Sequence, residues 1–216
     1  VAIFGATGAV GQELVSCLAK RDFPIKSLRA FASSASIGKT IAYGSELVQV
    51  ESTENANLDC DIAFLSAGAT QSRLVAPKVL EHGGVVIDNS SAFRMDDHVP
   101  LVVPEINGDR LTRGTRLIAN PNCTAAITLM AVHPLRSLGK VKRLVISTYQ
   151  SASGGGAKLM HELEEQTEAA LAGVAVVPKV ISQPYAFNLF SHNTPINEHG
   201  YNDEEWKVIA EARKIL

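Results

Sequence analysis

No stretch of this 216-residue chain approaches the ~20 consecutive apolar residues of a membrane-spanning helix. An excess of one charge is lacking too. Twenty Lys and Arg face 22 Asp and Glu, a net of -2, so nothing in bulk draws the chain to nucleic acid or an anionic membrane. The expected partner is a small molecule. Cysteine is scarce: Cys17, Cys60 and Cys123 are odd in number and show no C-x-x-C spacing. That argues against a disulfide framework or a zinc knuckle, leaves no metal site expected, and fits a reducing, cytoplasm-like compartment. No internal repeat or low-complexity tract is visible, and none of the residues before the first motif reads as a charged-then-apolar leader. What remains, at 46% hydrophobic and 19% charged residues, is an ordinary globular composition able to bury a core without staples.

Short apolar runs at 1–4, 28–32, 47–50, 61–66, 85–88 and 117–119 alternate with helical patterns at 10–20 and 70–81. The runs are rich in Val, Ile, Leu and Phe and barely alternate with polar residues. That is the pattern of a parallel sheet buried on both faces, so a Rossmann-type doubly wound α/β domain is expected over 1–121. From residue 122 the pattern changes to a helix at 124–138, a strand at 141–150, a Gly loop and a long helix at 157–172. This reads as the start of an α+β catalytic and dimerisation domain over 122–216. The stretch 173–202, with Pro178, Pro184 and Pro195, reads as irregular. Val1 opens inside a strand and the helical pattern of 204–216 stops on Ile215-Leu216 without a Gly or a polar tail, so the chain is read as a fragment.

Gly5-Ala6-Thr7-Gly8-Ala9-Val10-Gly11 follows the first strand and leads into a helix. Glycines let a backbone turn tightly and approach a pyrophosphate, whose charge is met by free N–H groups and the positive end of the helix dipole. The spacing differs from G-x-G-x-x-G, and a plain strand-to-helix turn is the alternative; the strand before and the helix after favour the nucleotide site. At the end of the second strand, where an acid would bind the ribose of NAD, stands Ala32-Ser33-Ser34-Ala35-Ser36-Ile37-Gly38-Lys39. Hydroxyls and one cation there favour NADP, against a simple Ser-rich turn.

Ala119-Asn120-Pro121-Asn122-Cys123-Thr124 places a cysteine where a strand has ended and a helix is about to start. Unpaired N–H groups at a helix start favour thiolate, so Cys123 is either a nucleophile or a core cysteine. Cys17 lies on the apolar pattern of the first helix and reads as core, while Cys60 sits between Asp59 and Asp61, where negative charge discourages a thiolate. A nicotinamide site with a cysteine suggests thiolate attack on an aldehyde, hydride loss, and cleavage of the thioester by water or phosphate.

At this point the chain resembles the aspartate-semialdehyde dehydrogenase family. The carriers are the opening glycine loop, Asp88-Asn89-Ser90-Ser91-Ala92-Phe93-Arg94, Asn120-Pro121-Asn122-Cys123-Thr124, Ser147-Thr148-Tyr149-Gln150-Ser151-Ala152-Ser153-Gly154-Gly155-Gly156, and Asn202-Asp203-Glu204-Glu205-Trp206-Lys207. The resemblance implies that Cys123 forms the acyl-enzyme and Gln150 orients substrate beside it. It also implies that Arg94, with Asn122 beside it, holds phosphate. Glu204 and Lys207 would receive the substrate's amine and anionic group; the alternative for that pair is an exposed ion pair, and Asn202 to Glu205 also reads as a capping box. For NADP the resemblance implies Gly5, Thr7, Gly8, Ala9, Val10, Gly11, Ser33, Ser36, Ser66, Ala67, Gly68, Asn89, Ser153 and Gly154. Many relatives carry an arginine where this chain has Ala35. The implied reaction interconverts aspartate 4-semialdehyde and 4-aspartyl phosphate with phosphate and NADP(H), on the route to lysine, threonine and methionine. The implied setting is a cytoplasmic (in a plant or alga, plastid) homodimer or homotetramer.

The family's catalytic histidine and a substrate-binding arginine are expected beyond Leu216, so this chain alone is expected to turn over poorly. Among the six histidines, His161 pairs with Glu165 at i, i+4 on a helix surface, and His192 lies in a loop that the family shares without being its base. N-acetyl-glutamyl-phosphate reductase shares the glycine loop and the cysteine and is the enzymatic alternative. A truncated, non-catalytic nucleotide-binding relative is the other.

Overall fold

The computed structural model describes residues 1–54, 56–191 and 194–216. They form two compact units, one of Val1–Ile146 with Lys207–Leu216 and one of Ser147–Trp206.

The first unit is built on a sheet of β1 (Ala2–Phe4), β2 (Arg29–Ala32), β3 (Thr40–Tyr43), β4 (Glu46–Ser52), β5 (Ile62–Leu65), β6 (Val85–Asp88) and β7 (Leu117–Ala119), in the order β3-β4-β2-β1-β5-β6-β7. Every neighbouring pair is parallel except β3 with β4. Both faces are covered, which is why the strands read as continuous apolar runs. Ala2 and Phe4 join one cluster with Phe31, Leu65, Val86 and Leu129, while Ile3 joins the opposite one with Ala30, Val15 and Leu18. Phe4 and Phe31, in register on β1 and β2, stack with ring centroids 4.6 Å apart. Helix α1 (Ala9–Lys20) covers the second cluster; α2 (Ala69–Glu81), α4 (Cys123–Val132) and the far end of α6 (Asp203–Ile215) cover the first. A short α3 (Pro104–Asn107) lies between β6 and β7 in sequence. The doubly wound α/β expectation is borne out, and the chain reverses its direction of travel across the sheet at the β1/β5 junction.

The secondary structure departs from the expected elements at three places. The hairpin strand β3 was not anticipated, because Thr40–Tyr43 is a half-exposed edge whose pairing depends on the two-residue turn to Glu46. Helix α4 ends at Val132 rather than at residue 138, and 133–137 tighten into a 3-10 turn at Pro134, which has no N–H to continue the ladder. No described segment pairs with 141–150, so the expected strand forms no ladder.

In the second unit a 3-10 turn at Ala152–Gly155 precedes α5 (Ala157–Leu171). Among the described residues the segment after α5 is irregular as expected, and its backbone at Lys179, Val180, Tyr185 and Ala186 is held by side chains of that helix. Buried Glu162 accepts from the N–H of Lys179 at 2.6 Å and of Val180 at 2.7 Å. Gln166 Oε1 accepts from the N–H of Tyr185 and Ala186, and its amide donates back to Glu162. The capping box is real: Glu205 N–H donates to Asn202 Oδ1 and Asn202 N–H to Glu205 Oε2, each at 2.9 Å. No described helix is long and apolar enough to cross a membrane.

Candidate active site

In an open parallel sheet, ligands bind outside the carboxyl ends of the strands where the winding reverses. The loops after β1, β2, β5, β6 and β7 all leave from that edge, and they carry most of the residues singled out in the sequence. After β1, Gly5 adopts φ +85 and lies so close to the β5 loop that a Cβ would meet Ser66 O at 2.6 Å. At Gly11 a Cβ would meet Gly5 O at 2.2 Å, so only glycine lets α1 start against its own loop. The N-cap of α1 is Gly8 and that of α2 is Gly68; neither helix start receives a side-chain cap. Ala9 and Val10 open α1, and Ser66-Ala67-Gly68 leads into α2. These helix starts keep their backbone donors for an anion, which suits a dinucleotide's pyrophosphate.

The β2 loop lies against this one, with Thr7 Oγ1 donating to Ser36 Oγ at 3.3 Å. β2 ends on Ala32, without an acid, and the 3-10 turn that follows is entered through Ser33. Beside it opens a cleft of about 600 Å³ lined by Thr7, Gln12, Ser16, Lys20, Lys39 and Thr40. Lys20 was not singled out in the sequence. It ends α1, about 16 Å along the helix from its glycine-led start, and reaches the cleft where α1 packs on β3.

The loops after β6 and β7 form a second cluster. Asp88, wholly buried, accepts from Ser72 Oγ at 2.7 Å and Ser90 Oγ at 2.8 Å, and so folds the 88–94 loop back on itself. Asn89 Oδ1 accepts from the amide of Asn120 at 2.5 Å. Arg94 is 8% exposed. Its Nε donates to Asn120 O at 2.9 Å, Nη2 to Asn89 O at 2.9 Å and Nη1 to Glu211 Oε1 at 3.0 Å. Arg94 is therefore locked in place, with one N–H on each of Nη1 and Nη2 beyond these bonds.

Asn122 is the N-cap of α4, its Oδ1 accepting from the N–H of Thr124 at 2.9 Å and of Ala125 at 3.2 Å. The first residue of that helix is Cys123, whose side chain is exposed. A nucleophile needs this combination of a fixed backbone and an open sulfur. The other cysteines differ. Cys17, expected in the core, is exposed, because the buried stripe of α1 runs through Gly11, Val15 and Leu18 instead. Cys60 is half-buried, and its burial pushes the thiol up from its usual range; Val1's amine and Arg29 oppose this, while Asp59 and Asp61 add to it.

In the second unit, Gln150 lies so close to the turn at Ala152–Gly155 that a Cβ on Gly154 would meet its Nε2 at 2.1 Å. Ser153 Oγ is 2.7 Å from Ser151 Oγ, and Tyr185 Oη reaches Gln150 O at 3.4 Å. Glu204 and Lys207, one turn apart on α6, are half-buried and both are engaged. His161 makes the expected exposed contact with Glu165, 3.3 Å from Nε2. His192 lies outside the described residues.

Residues 1–113 match the semialdehyde dehydrogenase NAD-binding domain, and residues 132–216 match the semialdehyde dehydrogenase dimerisation domain. The chain belongs to the semialdehyde dehydrogenase family. It is 45% identical to the aspartate-semialdehyde dehydrogenase of Synechocystis sp., over all of this chain and 64% of that protein. To the Prochlorococcus marinus enzyme it is 42% identical, over all of this chain and 63% of that protein. It superposes on the crystal structure of aspartate semialdehyde dehydrogenase II from Vibrio cholerae with a TM-score of 0.94 at 40% identity, covering 99% of this chain and 65% of that one. The same Vibrio enzyme complexed with ASA gives a TM-score of 0.95. The chain thus spans just under two thirds of the length of these semialdehyde dehydrogenases.

Sequence reasoning missed Glu211. The helical pattern at 204–216 marked no polar residue as buried, but the buried stripe of α6 is Val208, Glu211 and Ile215. The available signal was a glutamate at a position where that stripe asks for an apolar residue.

Proposed function

We propose that this chain carries the nucleotide site and the nucleophile of a phosphorylating aspartate-semialdehyde dehydrogenase. The observation that carries the reading is Cys123, open and at a helix start, on the same sheet edge as two uncapped glycine-led helix starts. The nucleotide-binding part is taken as 1–121, with the catalytic and dimerisation part beginning at 122. The glycine-led helix starts would hold NADP at that edge, where it would supply the hydride acceptor or donor. The Cys123 thiolate adds to the aldehyde carbon of aspartate 4-semialdehyde. Loss of hydride from that carbon leaves a thioester, and phosphate displaces the thiolate to give 4-aspartyl phosphate. Atoms balance as semialdehyde, phosphate and NADP giving 4-aspartyl phosphate, NADPH and a proton. Arg94 meets the phosphate through its remaining Nη donors, Gln150 orients the carbonyl, and Glu204 and Lys207 take the amine and the carboxylate. The relatives named above favour this reading over N-acetyl-glutamyl-phosphate reductase. A homodimer or homotetramer is proposed from the match to a dimerisation domain.

NADP is preferred to NAD in this reading because β2 ends without an acid and Lys39, whose backbone N–H donates to Ser36 O, follows the serine turn directly. Lys39→Ala is expected to raise the KM for NADP about tenfold and leave that for NAD unchanged; steady-state kinetics with both cofactors checks it.

The test of the reaction is an assay of the protein expressed from its complete reading frame. Aspartate semialdehyde should reduce NADP only when phosphate or arsenate is present. Activity indifferent to both rejects the proposal.

A further inference from the structure

We infer that Glu211 is a positioning residue that sets the nucleophile loop and Arg94 in register with each other; this rests on the function proposed above. Glu211 is 2% exposed and stands between Val208 and Ile215 on the face that α6 buries. A carboxylate on such a stripe loses its hydration, and an apolar side chain of the same size is often as good or better for stability. Stability alone is therefore a poor reason for it. Its two oxygens serve two different loops. Oε1 accepts from Arg94 Nη1 at 3.0 Å, and Oε2 accepts from the backbone N–H of Asn122 at 2.6 Å. Arg94 belongs to the loop after β6. Asn122 belongs to the loop after β7, caps α4 through Oδ1 and immediately precedes Cys123.

The consequence is a closed set of bonds. Arg94 also donates to Asn89 O and Asn120 O, and Asn120 in turn donates to Asn89. One carboxylate thus fixes both the orientation of the Arg94 fork, and with it the direction of its remaining Nη donors, and the peptide from which Cys123 emerges. An anion held by Arg94 and an acyl group on Cys123 must meet within bonding distance for phosphate to cleave a thioester. A displacement of about 1 Å between such groups costs rate steeply. Glutamine at 211 keeps the shape but offers only one acceptor oxygen, and it sets an amide N–H against either Arg94 or Asn122.

The experiment compares wild type, Glu211→Gln and Glu211→Asp, each expressed from the complete reading frame and assayed per mole of folded protein. Glu211→Gln is expected to raise the KM for phosphate or lower kcat by about tenfold or more, while the KM for NADP stays within about twofold. Hydrogen exchange of the peptide spanning 120–126 is expected to accelerate, and that of the glycine loop at 5–11 to stay unchanged. Glu211→Asp keeps the charge but withdraws it by one methylene, and should recover part of the loss. If Glu211→Gln does not fold, Glu211→Asp is read alone: a phosphate KM raised about threefold or more supports the inference, and one equal to wild type overturns it. A folded Glu211→Gln with wild-type phosphate KM, kcat and exchange, or one that loses only melting temperature, makes the ion pair structural and overturns the inference. Wild-type protein without phosphate-dependent activity would instead remove the proposed function, and the exchange measurement would still decide whether Glu211 holds the Asn122 loop.

Discussion

Cys60 and Cys123 show how differently one side chain behaves under different surroundings. Burial holds the Cys60 thiol above its usual range, so at a given pH less of it is thiolate than in the unfolded chain. Cys123 projects from a helix start into the open. Brief treatment with iodoacetamide at neutral pH should therefore label Cys123 well before Cys60, as read by peptide mass mapping. Cys123→Ser should leave no acyl group trapped from substrate; a serine variant that still traps label would remove Cys123 from the mechanism. Arg94 carries a double expectation. Its side chain is half of a buried ion pair with Glu211, so Arg94→Leu leaves an unpaired buried carboxylate and should cost about 3–5 kcal/mol of stability in thermal or denaturant unfolding. In the protein that remains folded, phosphate dependence should weaken. A normal phosphate dependence would assign Arg94 to structure alone. The sequence motif around Arg94 marked the residue, but not its partner, because 117 positions separate Arg94 from Glu211.

At the scale of the element, the contrast among helix starts decides what each one can hold. Helices α1 and α2 begin on glycine without a side-chain cap, and α4 begins on Asn122, which takes two of its first N–H groups. The first arrangement leaves donors for a ligand; the second rigidifies the backbone beneath Cys123. Asn122→Ala should lower stability by about 1 kcal/mol through the lost cap, measured by denaturant unfolding. The 3-10 turn at Ala152–Gly155 gives another element-level expectation. A methyl group on Gly154 would occupy the place of the Gln150 amide, so Gly154→Ala should displace Gln150 and lower kcat about tenfold with little change in melting temperature. An unchanged kcat would separate Gln150 from the chemistry. The capping box and the strand-loop-helix opening of the chain were legible in sequence because they depend on residues within a turn of one another. The missing ladder at 141–150 was not legible: alternation and β-propensity describe what a strand could be, and only a neighbour with free backbone groups makes it one.

For the whole molecule, the match to a dimerisation domain carries the expectation that the protein from the complete reading frame sediments as a dimer or tetramer; a monomer at micromolar concentration in analytical ultracentrifugation would reject it. The sequence by itself determined the α/β class, the glycine-led loop before the first helix, the lack of an acid after the second strand and the cysteine at a helix start. Each is a local pattern, fixed by backbone sterics, by the period of apolar residues, or by the need of a buried sheet for apolar side chains on both faces. Tertiary structure decided which distant residues share that edge. Packing α6 on the sheet brings Glu211 to Arg94 and Asn122. The physical reason is that hydrogen bonds and ion pairs act over a few ångströms, and only the folded chain sets which remote side chains come that near.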